Sequence, residues 1–219
     1  MKVVALVPVK LRSQRVPGKN ARNLGGHPLC WYVCNTLLSV SEIDEVCVYC
    51  SSEEVVPLLP EGTRWVRRAK SLDADDVKGA QIYSAFLDDV EADVYILAHT
   101  TSPFLRAESV RKGLKAVLEE GYDSAFTAQR MQTFAWFGGK PLNYSLNDVP
   151  RTQDMEPVWV ETSGFYIFRH EVFVKENRRI GGNPHIVEVD AVEAIDIDEP
   201  ADFEFAELVV ASMGLAGKE

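Results

Sequence analysis

Three short segments of the chain carry side chains in combinations that suit phosphate and metal chemistry. The first, Pro8-Val9-Lys10-Leu11-Arg12-Ser13-Gln14-Arg15-Val16-Pro17-Gly18-Lys19-Asn20, is dense in cations. Lys10, Arg12, Arg15 and Lys19 would repel one another without an anion between them, and with Ser13 and backbone N–H groups they suit phosphate oxygens. The loop has neither the Walker glycine-lysine signature nor the dinucleotide glycine fingerprint, so a different phosphate-binding class is required. Taken alone it is as readily a solvated basic loop. The second segment, Ala194-Ile195-Asp196-Ile197-Asp198-Glu199-Pro200, sets two carboxylates at i and i+2, on one side of an extended chain. Such a pair can hold magnesium, with water and substrate phosphates completing the octahedron. Asp198 could instead cap the helix that starts near Glu199-Pro200, but capping accounts for only one of the two aspartates. The third segment, His99-Thr100-Thr101-Ser102-Pro103-Phe104-Leu105-Arg106, offers an imidazole and the hydroxyls of Thr101 and Ser102 to the hydroxyls of a sugar; Thr, Ser and Pro are also ordinary helix-entry residues.

Apolar runs of strand length alternate with amphipathic segments of helix length, the pattern of an α/β chain with a parallel sheet covered by helices. Strands are expected at Val3–Val9, Glu45–Ser51, Thr63–Arg67, Asp93–Ala98, Tyr122–Ala128 and Val158–Phe168, and an acidic strand at Glu193–Asp198. Helices are expected from Pro28 to about Val40, over Gly79–Val90, over Ala107–Glu120 and over Glu199–Met213. The basic loop follows the first strand and the His99 segment follows the most apolar one, and loops at the carboxyl ends of parallel strands are where such sheets bind ligands. Residues 129–157, with Phe134, Trp136, Phe137 and the Gly138-Gly139 turn but no helix of useful length, read as a β-rich insertion in a single domain spanning 1–219. Its aromatics suit a dimer contact or a small satellite core equally well.

At 219 residues, with 46% hydrophobic and 26% charged residues, the chain can bury one core and is not compositionally disordered. Its net charge of −10 disfavours nucleic acid and anionic membranes unless positive charge is gathered locally. It is: no Asp or Glu precedes Glu42, while Lys2, Lys10, Arg12, Arg15, Lys19 and Arg22 all do. That asymmetry points to a pocket for a small polyanion such as a nucleotide. The apolar run Val3–Val9 is far below the ~20 residues that span a bilayer, and no signal peptide is evident. Cys47-x2-Cys50 has zinc-ligand spacing, but both lie in an expected strand, where positions three apart face opposite sides. Cys30 and Cys34 share one helix face as small buried apolar groups, and reduced thiols favour the cytoplasm.

Together, Pro-x-Lys-x-x-Ser-x-Arg-x-Pro-Gly-Lys-Asn at 8–20, Thr-Ser-Pro-x-x-Arg at 101–106 and Asp-Ile-Asp-Glu-Pro at 196–200 resemble the acylneuraminate cytidylyltransferase family, the CMP-sialic acid synthetases and their relatives. The opening segment is also similar to the CMP-Kdo synthetases. The resemblance implies a Rossmann-like nucleotidyltransferase fold, CTP as co-substrate, Mg2+, and a homodimer in which the β-rich insertion reaches the partner. It further implies that Lys10, Ser13, Arg15 and Lys19 form the triphosphate loop, with Pro8 and Arg12 beside them. Asn20 and Arg68 fall near the cytidine, Asp196 and Asp198 on the metal, and Glu161, Ser163 and Gly164 beside the sugar, with His99, Thr101 and Ser102. Of these, Arg15, Lys19 and Asp198 are the expected catalytic groups.

Several positions depart from the family pattern. Lys10 replaces the usual arginine, keeping charge but losing the planar fork. Gln14 stands where lysine is frequent, and His99 where the sialic acid enzymes present glutamine. Glu161-Thr162-Ser163-Gly164 lacks the arginine that those enzymes set before Asn-Gly to meet the sugar carboxylate, and a glutamate there would repel one. The departures lead away from N-acetylneuraminate toward another nonulosonic acid, or a sugar that carries its charge elsewhere. The expected reaction is attack by a sugar hydroxyl on the α-phosphate of CTP. A catalytically silent nucleotide-sugar binder and a transferase using another triphosphate are the competing readings.

Overall fold

The computed structural model describes residues 1–13 and 16–213. In chain order its strands are β1 (Val3–Pro8), β2 (Asn23–Leu24), β3 (His27–Pro28), β4 (Glu45–Cys50), β5 (Arg64–Arg67), β6 (Val94–Ala98), β7 (Ser124–Met131), β8 (Trp136–Phe137), β9 (Lys140–Pro141), β10 (Val158–Arg169) and β11 (Pro184–Glu188). Its helices are α1 (Leu29–Leu38), α2 (Gly79–Asp89), α3 (Ala107–Leu118), α4 (His170–Glu176) and α5 (Pro200–Ser212).

Seven strands form one sheet in the order β11-β7-β10-β6-β1-β4-β5. β1 pairs in parallel with β4 and β6, β4 with β5, and β7 with β11, while β10 runs antiparallel between β6 and β7. The period of two along β1 assigns the faces. Val3, Ala5 and Val7 pack on one side with Val33, Cys34 and Leu37 of α1 and Val110, Leu114 and Val117 of α3. Val4 and Leu6 pack on the other with Tyr83, Phe86 and Leu87 of α2 and Phe173 of α4. Gly113 lets α3 lie close to the sheet, because a Cβ there would stand 2.8 Å from Ile167 and 2.9 Å from Phe165. A separate cluster, Leu24, Leu29, Ile197, Phe203, Ala206 and Val210, fastens α5 over the β2–β3 hairpin.

The expected strand and helix centres agree with these elements, and the mostly parallel mixed sheet flanked by helices is the expected α/β architecture. Cys47 and Cys50 face opposite sides of the sheet, as their spacing predicts. All four cysteines are unpaired and buried, and burial pushes the thiols of Cys30 and Cys47 up to about 12 and about 11. Among the described residues no helix is long and apolar enough to cross a membrane.

One expectation fails: Glu193–Asp198 is a turn followed by extended chain, not a strand. Its backbone groups are taken elsewhere, Ala194 and Ile195 N–H donating within the turn and Ile197 N–H to the Thr101 carbonyl at 2.8 Å. The β2–β3 hairpin, α4 and β11 have no counterpart among the expected elements. α4 is a seven-residue helix. β11 is an edge strand that begins with proline and buries only Val187, so it lacks the apolar run by which a strand is recognised.

Candidate active site

The carboxyl ends of β1 and β6 open side by side, where the sheet order reverses from β1 toward β4 on one side and β6 on the other; α/β sheets bind ligands at this kind of crevice. Asn20 joins the two loops. Its amide donates to the Lys10 carbonyl at 2.7 Å and its carbonyl accepts from Thr100 Oγ1 at 2.6 Å. Both groups on the side chain are thus engaged in holding the basic loop against the β6 loop.

The acidic segment closes the crevice from the opposite side. Ile197 is fully buried under α5, so the aspartates on either side of it turn the other way. Lys19 is buried and donates to the Ile197 carbonyl at 2.6 Å, with Asp198 Oδ1 at 3.4 Å. Its ammonium therefore fixes the backbone between the two carboxylates. Glu193 anchors the preceding turn: it accepts from Arg106 N–H at 2.9 Å and Ser109 Oγ at 3.0 Å, satisfying donors at the start of α3.

β10 supplies the third wall through a bulge. Glu161 pairs with Ala128 and Tyr166 with Phe126, so the residues between them loop out of register. Thr127 Oγ1 holds the bulge by accepting from Thr162 Oγ1 at 2.7 Å and from Phe165 N–H at 3.3 Å. Gly164 passes close to Thr127, and a Cβ there would lie 2.9 Å from its hydroxyl. The bulge turns Ser163 inward, where its hydroxyl donates to Asp196 Oδ2 at 2.8 Å and its carbonyl accepts from His99 Nδ1 at 2.9 Å. Because a carbonyl only accepts, Nδ1 carries the proton and Nε2 keeps its lone pair when the ring is neutral. Burial lowers the His99 pKa; the Ser163 bond opposes this, the Arg179 charge adds to it, and Asp196 and Asp198 counter it.

Asp196 Oδ1 is buried and has no hydrogen-bond partner. A buried carboxylate oxygen in this condition is costly. Beside a second carboxylate it fits a hard divalent cation, which needs only a few protein oxygens when water and phosphate supply the rest. No cluster of three or more His, Cys, Asp or Glu able to hold a metal occurs among the described residues.

The other expected site residues are distributed around this core. Lys10 reaches Asp75 at 3.1 Å, and Arg12 is exposed. Ser13 Oγ accepts from Val16 N–H at 3.4 Å, Pro8 ends β1, and Arg15 lies outside the described residues. Ser102 is buried, and Thr101 contributes its carbonyl to Ile197. Arg68 is buried at the end of β5, pairing with Asp73 at 2.5 Å and donating to the Tyr49 carbonyl at 3.3 Å, while its Nε has no partner. Burial pushes the Asp73 carboxyl up, but hydrogen bonds from Ser51 and Arg68 outweigh it and hold the group low. Glu161 accepts from Tyr166 Oη at 3.0 Å.

Arg179 was not expected here. Its guanidinium lies 3.7 Å from the centroid of the Tyr166 ring, beside Glu161. The only signal in the sequence is the pair Arg178-Arg179 ahead of Gly181-Gly182, which says nothing of where the loop docks.

A mixed sheet with a basic loop after its first strand, a polar loop after β6 and a carboxylate pair across the crevice defines a nucleotidyltransferase fold. Solved structures agree: a CMP:2-keto-3-deoxy-manno-octonic acid synthetase complexed with CTP superposes with a TM-score of 0.76 at 21% identity, covering 97% of this chain and 100% of that one. A 4-diphosphocytidyl-2C-methyl-D-erythritol synthase from Anaerococcus prevotii superposes with a TM-score of 0.69 at 12% identity, covering 96% of each chain. The chain belongs to the cytidylyltransferase family, whose model matches residues 4–211. It is 26% identical to N-acylneuraminate cytidylyltransferase A of Danio rerio over 99% of this chain and 53% of that protein. It is 25% identical to the CMP-N,N'-diacetyllegionaminic acid synthase of Legionella pneumophila over 94% of this chain and 95% of that one. The chain thus spans about half the length of the Danio rerio protein and nearly all of the Legionella pneumophila one.

Proposed function

We propose that this chain transfers CMP from CTP to a hydroxyl of a nonulosonic sugar acid, releasing pyrophosphate. The observation that carries the reading is the buried, unpartnered Oδ1 of Asp196, two residues before Asp198, which Lys19 of the basic loop reaches at 3.4 Å. In the reaction the sugar hydroxyl oxygen forms a bond to the α-phosphorus as the bond from that phosphorus to the bridging oxygen breaks, the hydroxyl proton passing to solvent and pyrophosphate leaving with the electron pair. A divalent cation, Mg2+ in this reading, would be held by Asp196 and Asp198 and would supply charge neutralisation at the phosphates. Lys10, Arg12, Ser13 and Arg15 receive the triphosphate. Lys19 holds the acidic segment against the basic loop and Asn20 holds that loop against the β6 loop, so that orientation carries much of the rate. The neutral ring of His99 offers Nε2 to a sugar hydroxyl, and Ser163 locks that tautomer.

The same reading takes the exposed aromatics of the 129–157 insertion as a homodimer surface, and the four unpaired cysteines as suited to the cytoplasm. The test is pyrophosphate release with Mg2+, each of the four ribonucleoside triphosphates and a panel of nonulosonic acids. Release with CTP and one acid is expected. Asp198→Ala is expected to lower turnover about a hundred- to a thousandfold with an unchanged melting temperature, on the scale of losing an electrostatic anchor of the transition state. Turnover unchanged in that variant removes the metal assignment, and a wild-type chain that binds CTP without turnover is the silent binder.

A further inference from the structure

A cavity of about 470 Å³ opens between the first turn of α2, the bulged β10 and the loop after α4, lined by Tyr83, Glu161, Phe173, Arg178 and Arg179 among others. It adjoins the crevice, since Tyr166 meets Arg179 with its face and His99 edge-on, the ring centroids of Tyr166 and His99 lying 6.2 Å apart. Its charges are arranged unevenly. Glu161 already accepts a hydrogen bond from Tyr166, and Arg178 pairs with Glu176. Arg179 stands 4.0 Å from Glu161, beyond the 2.7–2.9 Å of a charge-assisted hydrogen bond, so that contact does not satisfy its planar fork.

Arg179 is also held in place. Its guanidinium stacks on a buried ring, and the loop beyond it is pinned by Gly182 and Asn183 N–H donating to Asp123 at 2.7 and 2.8 Å and by Gly181 N–H donating to Ser124 Oγ at 2.8 Å. A fixed, partly desolvated guanidinium at the rim of a sugar-sized cavity matches a planar carboxylate in two places.

We propose that Arg179 recognises the carboxylate of the acceptor sugar, supplying from the loop between α4 and β11 the cation that β10 does not provide. The inference rests on the reading that the chain activates a sugar acid.

Full-length wild type, Arg179→Ala and Arg179→Lys are assayed for pyrophosphate release at saturating CTP with N,N'-diacetyllegionaminate and 3-deoxy-manno-octulosonate, each as the acid and as its carboxamide. Wild type is expected to prefer the acid. Arg179→Ala is expected to raise the KM for the acid about ten- to a hundredfold, the worth of a charged hydrogen bond, with the KM for CTP unchanged. It is also expected to treat acid and carboxamide alike, while Arg179→Lys retains part of the preference. If Arg179→Ala lowers the melting temperature, Arg179→Met, which keeps the stem over Tyr166, replaces it. A variant that still prefers the acid, or a wild type indifferent between acid and carboxamide, overturns this inference and leaves the transferase reading standing. A wild type that turns over neither form of any nonulosonic acid in the panel overturns both.

Discussion

At the scale of single residues, the site is organised by what each polar group is denied. Asp196 has one oxygen bonded to Ser163 and the other buried without a partner, the condition on which the proposed cation site rests. His99 donates through Nδ1 and is buried enough for its pKa to fall below the ordinary 6.5. A histidine whose folded value is depressed binds its proton more readily when unfolded. Its contribution to stability is therefore complete above 6.5 and is lost as the pH falls through the folded value. The melting temperature of the wild type is expected to fall more steeply below pH 6.5 than that of His99→Gln, which keeps an amide donor for the Ser163 carbonyl but does not titrate. Parallel curves for the two proteins would show that this ring is not held neutral by burial.

At the scale of elements, the bulge in β10 converts a sheet strand into one wall of the site. A regular strand would send Ser163 and its neighbours alternately to the two faces of the sheet. The extra residues instead bring the Ser163 hydroxyl to Asp196 and its carbonyl to His99, with Thr127 Oγ1 as the common anchor. Gly164→Ala would drive a methyl group to 2.9 Å from that anchor. A loss of about 1–3 kcal/mol in denaturant unfolding is expected, the usual cost of overpacking, with a fall in turnover because Ser163 moves with the bulge. Full activity and stability in this variant would mean that Thr127 can rotate away and that the bulge is not held by it. The basic loop and the β6 loop were legible in the sequence because each is a run of polar residues directly after an apolar strand, and the acidic segment because its aspartates alternate with isoleucine, although that alternation suggested a strand that does not form. The bulge was not, since Glu161-Thr162-Ser163-Gly164 carries no mark of altered register.

At the scale of the whole molecule, the segment between β7 and β10 stands apart from the core. Trp136 is 56% exposed and Phe137 78% exposed, with Leu142, Leu146 and Val149 also exposed nearby in sequence. Apolar surface of this kind is unusual on a monomer and suits burial against a second copy. A Trp136→Asp, Phe137→Asp variant is expected to sediment as a monomer where the wild type sediments as a dimer. A wild type that is itself monomeric at micromolar concentration would remove the homodimer from the proposal.

The sequence by itself determined the α/β architecture, the strands that precede the basic loop and the His99 segment, and which polar residues those segments and the aspartate pair offer as a candidate site. Those signals are local: apolar period, charge density and spacing are written within a dozen residues of one another. Only the tertiary structure decided that Lys19 turns its ammonium to Ile197 and Asp198, that Asn20 bridges to Thr100, and that Glu193 anchors the turn ahead of the aspartates. It also decided that Arg179 meets Tyr166 and Glu161. Most of these contacts join residues far apart in the chain, and their partners are selected by which strands lie adjacent in the sheet. No pattern within a short window encodes that adjacency, because it arises from the packing of the apolar faces of all seven strands at once.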